Sequence, residues 1–286
     1  NMPLIKEGSM YLNSFDGTKI HYLIERKSKL FLIFLHGWAG NWTVWEKERR
    51  FFKGKGYSTV AIDLRGHGES GKPERKAQYS LESFARDIGV LAKKEKISNF
   101  VLIGHSMGGL VALAAYPALR KNVKAIVLCS STYRNILEHT KIRKLSPFIR
   151  HVLSFLVEHR SLVRRYFGHF RNVDLTKYSN SSDYYIFYQG LHNTPLISVF
   201  ACLNSMLNCD FQKLLAQVNV PVLIIEGAKD KILPQADSLE MERKIKRAQL
   251  VLIRKGRHSV NLEFPKQVDK LILEFLKHND LTPERQ

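Results

Sequence analysis

Short apolar runs alternate along most of the chain with longer segments whose apolar residues recur every three to four positions. A short apolar run bounded by turn-forming residues is typical of a strand that is buried on both faces of a sheet. The runs of this kind are 30–35, 100–103, 222–225 and 250–253, and 58–62 is a further strand pattern that begins with two polar residues. Strands that alternate with helical segments form parallel sheets, so the pattern predicts the α/β class.

Two segments have clear helical spacing of their apolar residues, 81–93 and 264–276, and we expect both to be helices that cover the sheet. Near the start of the chain, a turn around Gly17 separates two shorter strand patterns, 10–13 and 21–26. A turn of this kind predicts a hairpin, so the sheet is expected to begin with an antiparallel pair.

Residues 133–195 break the alternation of strands and helices. Helical patterns at 147–158 and 162–170 lead there to a cluster of aromatic residues at 184–188. A chain of 286 residues, of which 44% are hydrophobic, can build one substantial core. We therefore predict one core domain, formed by 1–132 and 196–286, and an inserted helical segment, 133–195.

The chain is strongly basic, with 45 Lys and Arg against 26 Asp and Glu and a formal net charge of +19. The excess is spread along the sequence and accompanies no nucleic-acid-binding motif, so we expect no nucleic acid partner. Two interpretations stay open: a basic surface that is only solvated, or one that attracts anionic or lipid-like ligands. The sequence predicts no particular oligomeric state.

The three cysteines, Cys129, Cys202 and Cys209, are too few for a disulfide framework. This cysteine usage favours a reducing compartment. No stretch approaches the ~18 apolar residues that a membrane span needs, and no signal peptide is visible. The expectation is a cytoplasmic protein without a transmembrane segment.

A Gly-x-Ser-x-Gly sequence at 104–108, with Ser106 at its centre, lies between a strand pattern and an apolar helical pattern. This context is the signature of a nucleophile elbow, a strained turn that projects a serine hydroxyl from the edge of the sheet. Glycines are needed on either side of the serine because the strand and the helix crowd the turn. Ser106 is therefore the candidate nucleophile.

A serine nucleophile needs a histidine base and an acid that orients it, and in this architecture the acid precedes the histidine along the chain. Asp230 and His258 follow the last two strand patterns, one after each. Both are thus expected at the edge of the sheet where Ser106 emerges. Glu226, at the end of the same strand pattern as Asp230, is a rival acid.

A glycine-rich loop, 36–40, follows the strand pattern 30–35. Such a loop lets backbone N–H groups approach the carbonyl oxygen of a substrate. The backbone N–H groups of Trp38 and Met107 are the candidate oxyanion hole. Trp38 is also expected to line the pocket.

Five motifs in this chain stand in the order known from one enzyme family: 36–38, 63–70, 104–109, 227–230 and 256–258. With them the chain resembles the α/β-hydrolase fold family, in its serine carboxylesterase and lipase-like branch. The resemblance spans roughly residues 9–278, with a poorly matched stretch inside the inserted segment. The loop 63–70 resembles a structural loop of the family and is interpreted as scaffold.

The resemblance implies an eight-stranded, mostly parallel sheet flanked by helices, with a helical cap inserted after the sixth strand. It implies no metal and no organic cofactor. The cap would supply an apolar slot, and the candidate substrate contacts are Trp38, His105, Tyr185 and Tyr188. The dehalogenases and epoxide hydrolases that resemble the family carry a carboxylate nucleophile where this chain has Ser106, which excludes both classes.

The leading hypothesis is a serine hydrolase that cleaves a small-molecule carboxylic ester with a short- to medium-chain acyl group. Ser106, Asp230 and His258 would act as its catalytic triad through an acyl-enzyme intermediate. The same triad would serve a thioester, a lactone or the carbon–carbon bond of a diketone. A non-catalytic ligand receptor on this fold is a further alternative, which the complete set of catalytic residues disfavours.

Overall fold

The computed structural model describes residues 8–138, 143–158 and 173–284, and in these ranges eight strands form one sheet in the order β1-β2-β4-β3-β5-β6-β7-β8. The pairs β1–β2 and β2–β4 are antiparallel, and all the others are parallel. The strands are β1 (Ser9–Asn13), β2 (Lys19–Glu25), β3 (Leu30–Leu35), β4 (Ser58–Ile62), β5 (Asn99–His105), β6 (Val123–Cys129), β7 (Val222–Gly227) and β8 (Ala248–Ile253). The predicted fold class is confirmed, including the antiparallel start.

Helices follow the strands in the alternation that the sequence predicts. Within the described residues they are α1 (Glu46–Gly54), α2 (Leu81–Lys94), α3 (Met107–Leu119), α4 (Ser146–Glu158), α5 (Asp183–His192), α6 (Leu196–Leu207), α7 (Gln212–Leu215), α8 (Gln235–Lys244), α9 (Val260–Glu263) and α10 (Pro265–His278). The predicted helices 81–93, 147–158 and 264–276 are α2, α4 and α10, with slightly different ends. The predicted helix 162–170 lies outside the described residues.

The sheet divides the apolar interior into two layers, and this explains why its central strands are continuously apolar. In β3, Ile33 and Leu35 belong to the layer that also contains residues of α2 and α3. The intervening Leu32 and Phe34 face the opposite layer, with residues of α1 and α10. Because successive side chains point to opposite faces, a strand covered on both sides needs an apolar residue at every position.

The three cysteines are buried and free, as their small number predicts. Cys129 is the last residue of β6 and lies in the core layer that contains Phe34. No helix in the described ranges is long and apolar enough to cross a membrane.

Two carboxyl groups lie buried together where α1 meets α10. Glu48 is 1% exposed, and neither of its carboxyl oxygens receives a hydrogen bond from another described residue. Asp269 is 6% exposed, and its Oδ1 also has no partner in the described part of the chain. Burial raises the pKa of Asp269 to about 7, and burial together with Asp269 raises the pKa of Glu48 well above its usual value.

This pair predicts that the protein loses stability as the pH rises. A carboxyl group with a raised pKa in the folded state stabilises the fold fully below its unfolded pKa, and that contribution disappears as the pH passes its folded pKa. For Asp269 this window runs from the ordinary carboxyl pKa of 3.8 to the pKa of about 7 in the folded protein. Asp269→Asn cannot ionise, so its melting temperature relative to wild type should rise between pH 4 and pH 8.

Thermal unfolding followed by circular dichroism at several pH values in this window measures the difference. Asp280→Asn, at an exposed position close to the end of α10, is the matched control. A wild-type minus Asp269→Asn difference that stays constant with pH would contradict the prediction.

Candidate active site

The turn between β5 and α3 has the geometry of a nucleophile elbow. Ser106 lies between the last residue of β5 and the first residue of α3, with φ 52° and ψ −117°. A positive φ is strained for a residue other than glycine. A Cβ atom on Gly104 would lie 2.4 Å from the backbone of Gly108, and one on Gly108 would lie 2.2 Å from the carbonyl oxygen of Leu35. Glycine is therefore required on both sides of the serine.

The side chains of Ser106, His258 and Asp230 form a continuous hydrogen-bonded chain. Ser106 Oγ lies 3.0 Å from His258 Nε2, and His258 Nδ1 lies 2.7 Å from Asp230 Oδ2. The other carboxylate oxygen of Asp230 accepts the backbone N–H groups of Ile232 and Leu233, at 2.7 and 3.0 Å. These bonds fix the carboxylate, so the imidazole is oriented with Nδ1–H toward Asp230 and Nε2 free to accept the serine proton.

The structure also distinguishes the two candidate acids. Glu226 is completely buried at the end of β7, where Ser238 Oγ donates to it at 2.8 Å. Burial and the neighbouring charge of Asp230 raise the pKa of Glu226 to about 9. Burial by itself would raise the pKa of Asp230 too, but the hydrogen bond and the charge of His258 hold it below its usual range. At neutral pH the negative charge is therefore on Asp230.

The loop after β3 brings backbone N–H groups close to the serine. A Cβ atom on Gly37 would lie 3.3 Å from Ser106 Cβ, so the loop backbone passes directly beside the nucleophile. In the described part of the chain, the backbone N–H groups of Trp38 and Met107 donate to no other residue. Unused donors on both sides of a nucleophile are what an oxyanion hole requires.

Two buried histidines hold this loop. His36 Nδ1 donates to the carbonyl oxygen of Gly37 at 2.7 Å, and its Nε2 accepts the N–H of Leu64 at 3.0 Å. The N–H of Ala39 donates to His67 Nε2 at 3.2 Å. Burial lowers the pKa of both histidines, to about 3 for His67, so each is neutral and has one donor and one acceptor nitrogen. The loop 63–70 therefore acts as scaffold for the loop that carries Trp38.

A family model for the alpha/beta hydrolase fold matches residues 31–265. The chain belongs to the α/β-hydrolase fold family. A putative non-heme chloroperoxidase from Synechocystis is 30% identical, over 86% of this chain and 91% of that protein. Human Protein ABHD8 is also 30% identical, but this chain spans only 54% of the length of ABHD8. Other relatives are named epoxide hydrolases.

Solved structures show the same fold. A thermophilic esterase from Thermogutta terrifontis superimposes with a TM-score of 0.73 at 22% identity, covering 96% of this chain and 99% of the esterase. At that level of identity the likeness concerns the fold of this α/β-hydrolase and leaves its substrate open.

A cavity of about 350 Å³ opens onto Ser106 and His258 in this α/β-hydrolase. Trp38 and His105, two of the predicted substrate contacts, line it. The remaining lining residues are Gly37, Ala39, Gly40, Val44, Ile136, Leu137, Leu175, Asp183, Tyr184, Ile186, Phe187, Gly190, Met206, Ile232, Leu233, Ser259, Asn261 and Leu262. Most of these side chains are apolar, so the cavity suits an uncharged acyl or aromatic group.

The other two predicted substrate contacts do not line the cavity. Tyr185 and Tyr188 are 46% and 56% exposed and stack on each other with ring centroids 6.3 Å apart. Their neighbours Tyr184 and Phe187 on α5 line the cavity instead. Residues three or four apart share one face of a helix, so Ile186, Phe187 and Gly190 form the inner face, and Tyr184, 70% exposed, reaches the cavity only at its rim.

His105 contacts His258 as well as lining the cavity. Its Nε2 lies 3.0 Å from the carbonyl oxygen of His258, and the two rings are 5.1 Å apart. Burial and the charge of His258 lower the pKa of His105 to about 3, so its ring is neutral. The sequence pattern places His105 next to the nucleophile but gives no sign of this contact.

No group of three or more His, Cys, Asp or Glu side chains in the described ranges of this α/β-hydrolase is placed to hold a metal ion. Sequence reasoning missed Asp183, Ile136 and Met206 as cavity residues, since each is a single residue in a segment without a motif. It also missed Ile232 and Leu233, for which the apolar pair just after Asp230 is a usable signal.

Proposed function

We propose that this α/β-hydrolase cleaves carboxylic esters through a covalent acyl-enzyme formed on Ser106. The observation that carries the proposal is the chain of hydrogen bonds from Ser106 through His258 to Asp230, at 3.0 and 2.7 Å, at the bottom of an apolar cavity. Some relatives are named epoxide hydrolases, but we do not propose that activity here, because this chain has a serine hydroxyl and no carboxylate at the elbow.

In the first half of the reaction, His258 Nε2 takes the proton of Ser106 as Oγ attacks the ester carbonyl carbon. Asp230 keeps the imidazole in the required tautomer and stabilises its positive charge. When the carbon–oxygen bond breaks, His258 gives its proton to the leaving alcohol. Water then attacks the acyl-enzyme with His258 as base, and this releases the carboxylic acid and the free serine.

The oxyanion that forms in both tetrahedral intermediates needs hydrogen-bond donors. The backbone N–H groups of Trp38 and Met107 are suited to this role because neither donates elsewhere in the described residues. Loss of one such donor typically lowers turnover by about 10²–10³-fold. His36 and His67, which hold the loop of Trp38, therefore contribute to the rate without touching the substrate.

The cavity supports an uncharged substrate with a short to medium acyl chain. Its volume of about 350 Å³ is near the lower end of small-molecule sites, and its walls are largely aliphatic and aromatic. The net charge of +19 would attract the protein to an anionic or lipid-like surface, and such a surface would then supply the substrate. Three free, buried cysteines suit a reducing, cytoplasmic setting.

We also propose that residues 133–195 act as the cap. Helix α5, within this segment, contributes Tyr184, Ile186 and Phe187 to the cavity wall. Helix α6, which follows the segment, places Ala201 and Cys202 in the core layer that contains α2 and α3. Because Met206 of α6 also reaches the cavity and Ile186 of α5 also belongs to a core layer, the boundary at residue 195 stays a prediction from the sequence.

The proposal predicts hydrolysis of p-nitrophenyl esters with an optimum at a short or medium chain. Initial rates measured from acetate to palmitate test it, because a closed apolar wall favours acyl chains only up to the length that fits. The expected result is a value of kcat/KM that rises from acetate and falls again before palmitate. No hydrolysis at any length would contradict the ester assignment, and thioesters, lactones and diketones would then be assayed with the same protein.

A further inference from the structure

The loop that carries His258 is held at three consecutive backbone N–H groups by carboxylate oxygens. The N–H of Arg257 donates to Glu263 Oε2 at 2.9 Å. The next two N–H groups, of His258 and Ser259, donate to Oδ2 and Oδ1 of Asp183, each at 3.1 Å. Glu263 lies a few residues further along the same segment, whereas Asp183 comes from α5 and is 75 residues away in sequence.

Both oxygens of Asp183 are used, and this makes the contact specific for a carboxylate. Two parallel N–H groups on adjacent residues match the two oxygens of one carboxylate, and hydrogen bonds to an ionised acceptor are stronger than neutral ones. An asparagine offers one oxygen and would turn its NH₂ group toward the second backbone N–H.

A second contact joins the same two segments. The guanidinium of Arg257 donates from Nη2 to the carbonyl oxygen of Ser181, at 2.9 Å. Ser182 caps α5 by accepting the N–H of Tyr185 at 3.3 Å, so Asp183 is fixed in the first turn of the helix. The start of α5 and the loop of the catalytic histidine therefore form one hydrogen-bonded unit.

We propose that Asp183 is a positioning residue through which the cap helix α5 holds His258 in register with Ser106 and Asp230. The inference rests on the proposed function, in which His258 is the base. Helix α5 also forms the cavity wall with Ile186 and Phe187. The helix that contacts the acyl group of an uncharged ester thus also sets the position of the base, so substrate fit and proton transfer depend on one element.

The test uses the full chain with Asp183→Asn, Asp183→Ala and Asp183→Glu. Asp210→Asn is the matched control, since Asp210 also accepts a backbone N–H, from Gln212 at 2.8 Å, and its side chain is exposed. The readouts are kcat and KM for the preferred p-nitrophenyl ester, the rate of covalent labelling of Ser106 by a fluorophosphonate, and hydrogen exchange in a peptide containing residues 257–259.

We expect Asp183→Asn and Asp183→Ala to lower kcat by about 10- to 100-fold, because small displacements of a catalytic group have effects of that size. KM and the melting temperature should change little, labelling of Ser106 should slow in parallel with kcat, and exchange of the backbone N–H groups of 258 and 259 should accelerate. Asp183→Glu, which keeps both oxygens, should recover part of the rate.

Two results would overturn the inference. One is wild-type rates of turnover and labelling in Asp183→Asn, and the other is a lower rate with unchanged hydrogen exchange in the 257–259 peptide. If Asp183→Ala does not fold, the isosteric Asn variant decides. Failure of the proposed function is a separate result, because wild-type protein would then show neither ester hydrolysis nor labelling at Ser106.

Discussion

Replacing Ser106 with alanine is expected to lower kcat for ester hydrolysis by a factor of about 10⁴ or more, because the nucleophile of a triad cannot be replaced by its partners. The fold should be retained, since the Ser106 side chain makes no hydrogen bond in the described residues other than the one to His258. Alanine removes only Oγ and keeps Cβ, so the backbone conformation at φ 52° is no more strained than in wild type. Steady-state kinetics and a thermal melt measure the two effects separately.

Ser130→Ala is a well-matched control for this experiment. Ser130 also directly follows a strand and has a positive φ, 42°, but it is fully buried and its Oγ has no hydrogen-bond partner in the described part of the chain. Its loss should therefore leave kcat close to the wild-type value. Equal losses in the two variants would show that the damage is structural and would remove Ser106 from the mechanism.

Asp230→Asn is expected to lower kcat by about 10⁴-fold with the fold intact. An asparagine side chain would favour the tautomer of His258 that has the proton on Nε2, and this nitrogen could then no longer accept the proton of Ser106. The carboxylate is buried and accepts the Nδ1–H at 2.7 Å, so solvent cannot substitute for it. Kinetics at pH 7 and above measure the loss.

Glu226→Gln provides the contrasting result. With its pKa raised to about 9, Glu226 is protonated at pH 7, and glutamine reproduces its neutral shape and its donor toward Asp230. We expect little change in kcat at pH 7. A severe loss in Glu226→Gln together with mild behaviour of Asp230→Asn would mean that the wrong carboxylate was assigned as the acid.

The fold and the placement of the triad candidates could be predicted from the sequence because each depends on a local signal. Continuous apolar runs require coverage on both faces, and this signal predicts β3, β5 and β7. The glycines around Ser106 are needed because any Cβ there would meet backbone, so they appear directly in the sequence. Asp230 and His258 follow strands, and the ends of parallel strands meet at one edge.

The substrate contacts could not be predicted in the same way, because they depend on the phase of a helix. In the run 184–188 four of five residues are aromatic, so hydrophobicity does not indicate which ones face inward. Packing of α5 places Ile186 and Phe187 against the cavity and leaves Tyr185 and Tyr188 outside. The role of Asp183 could not be predicted either, because its partners are backbone N–H groups. Every residue except proline has such a group, so no residue type in the sequence indicates the contact.

The distance along the chain between Ser106 and His258, 152 residues, has a consequence for how this protein acquires activity. Ser106 follows β5 and His258 follows β8, and β6 and β7 lie between these two strands in the sheet. The two side chains can therefore come into contact only after β5, β6, β7 and β8 have been assembled. Closing contacts of such long range costs chain entropy before the contact is gained, which slows folding. Under the proposed function, a chain that lacks any of these strands has no serine in contact with its base, so recovery of ester hydrolysis during refolding would report assembly of this part of the sheet rather than the formation of individual helices.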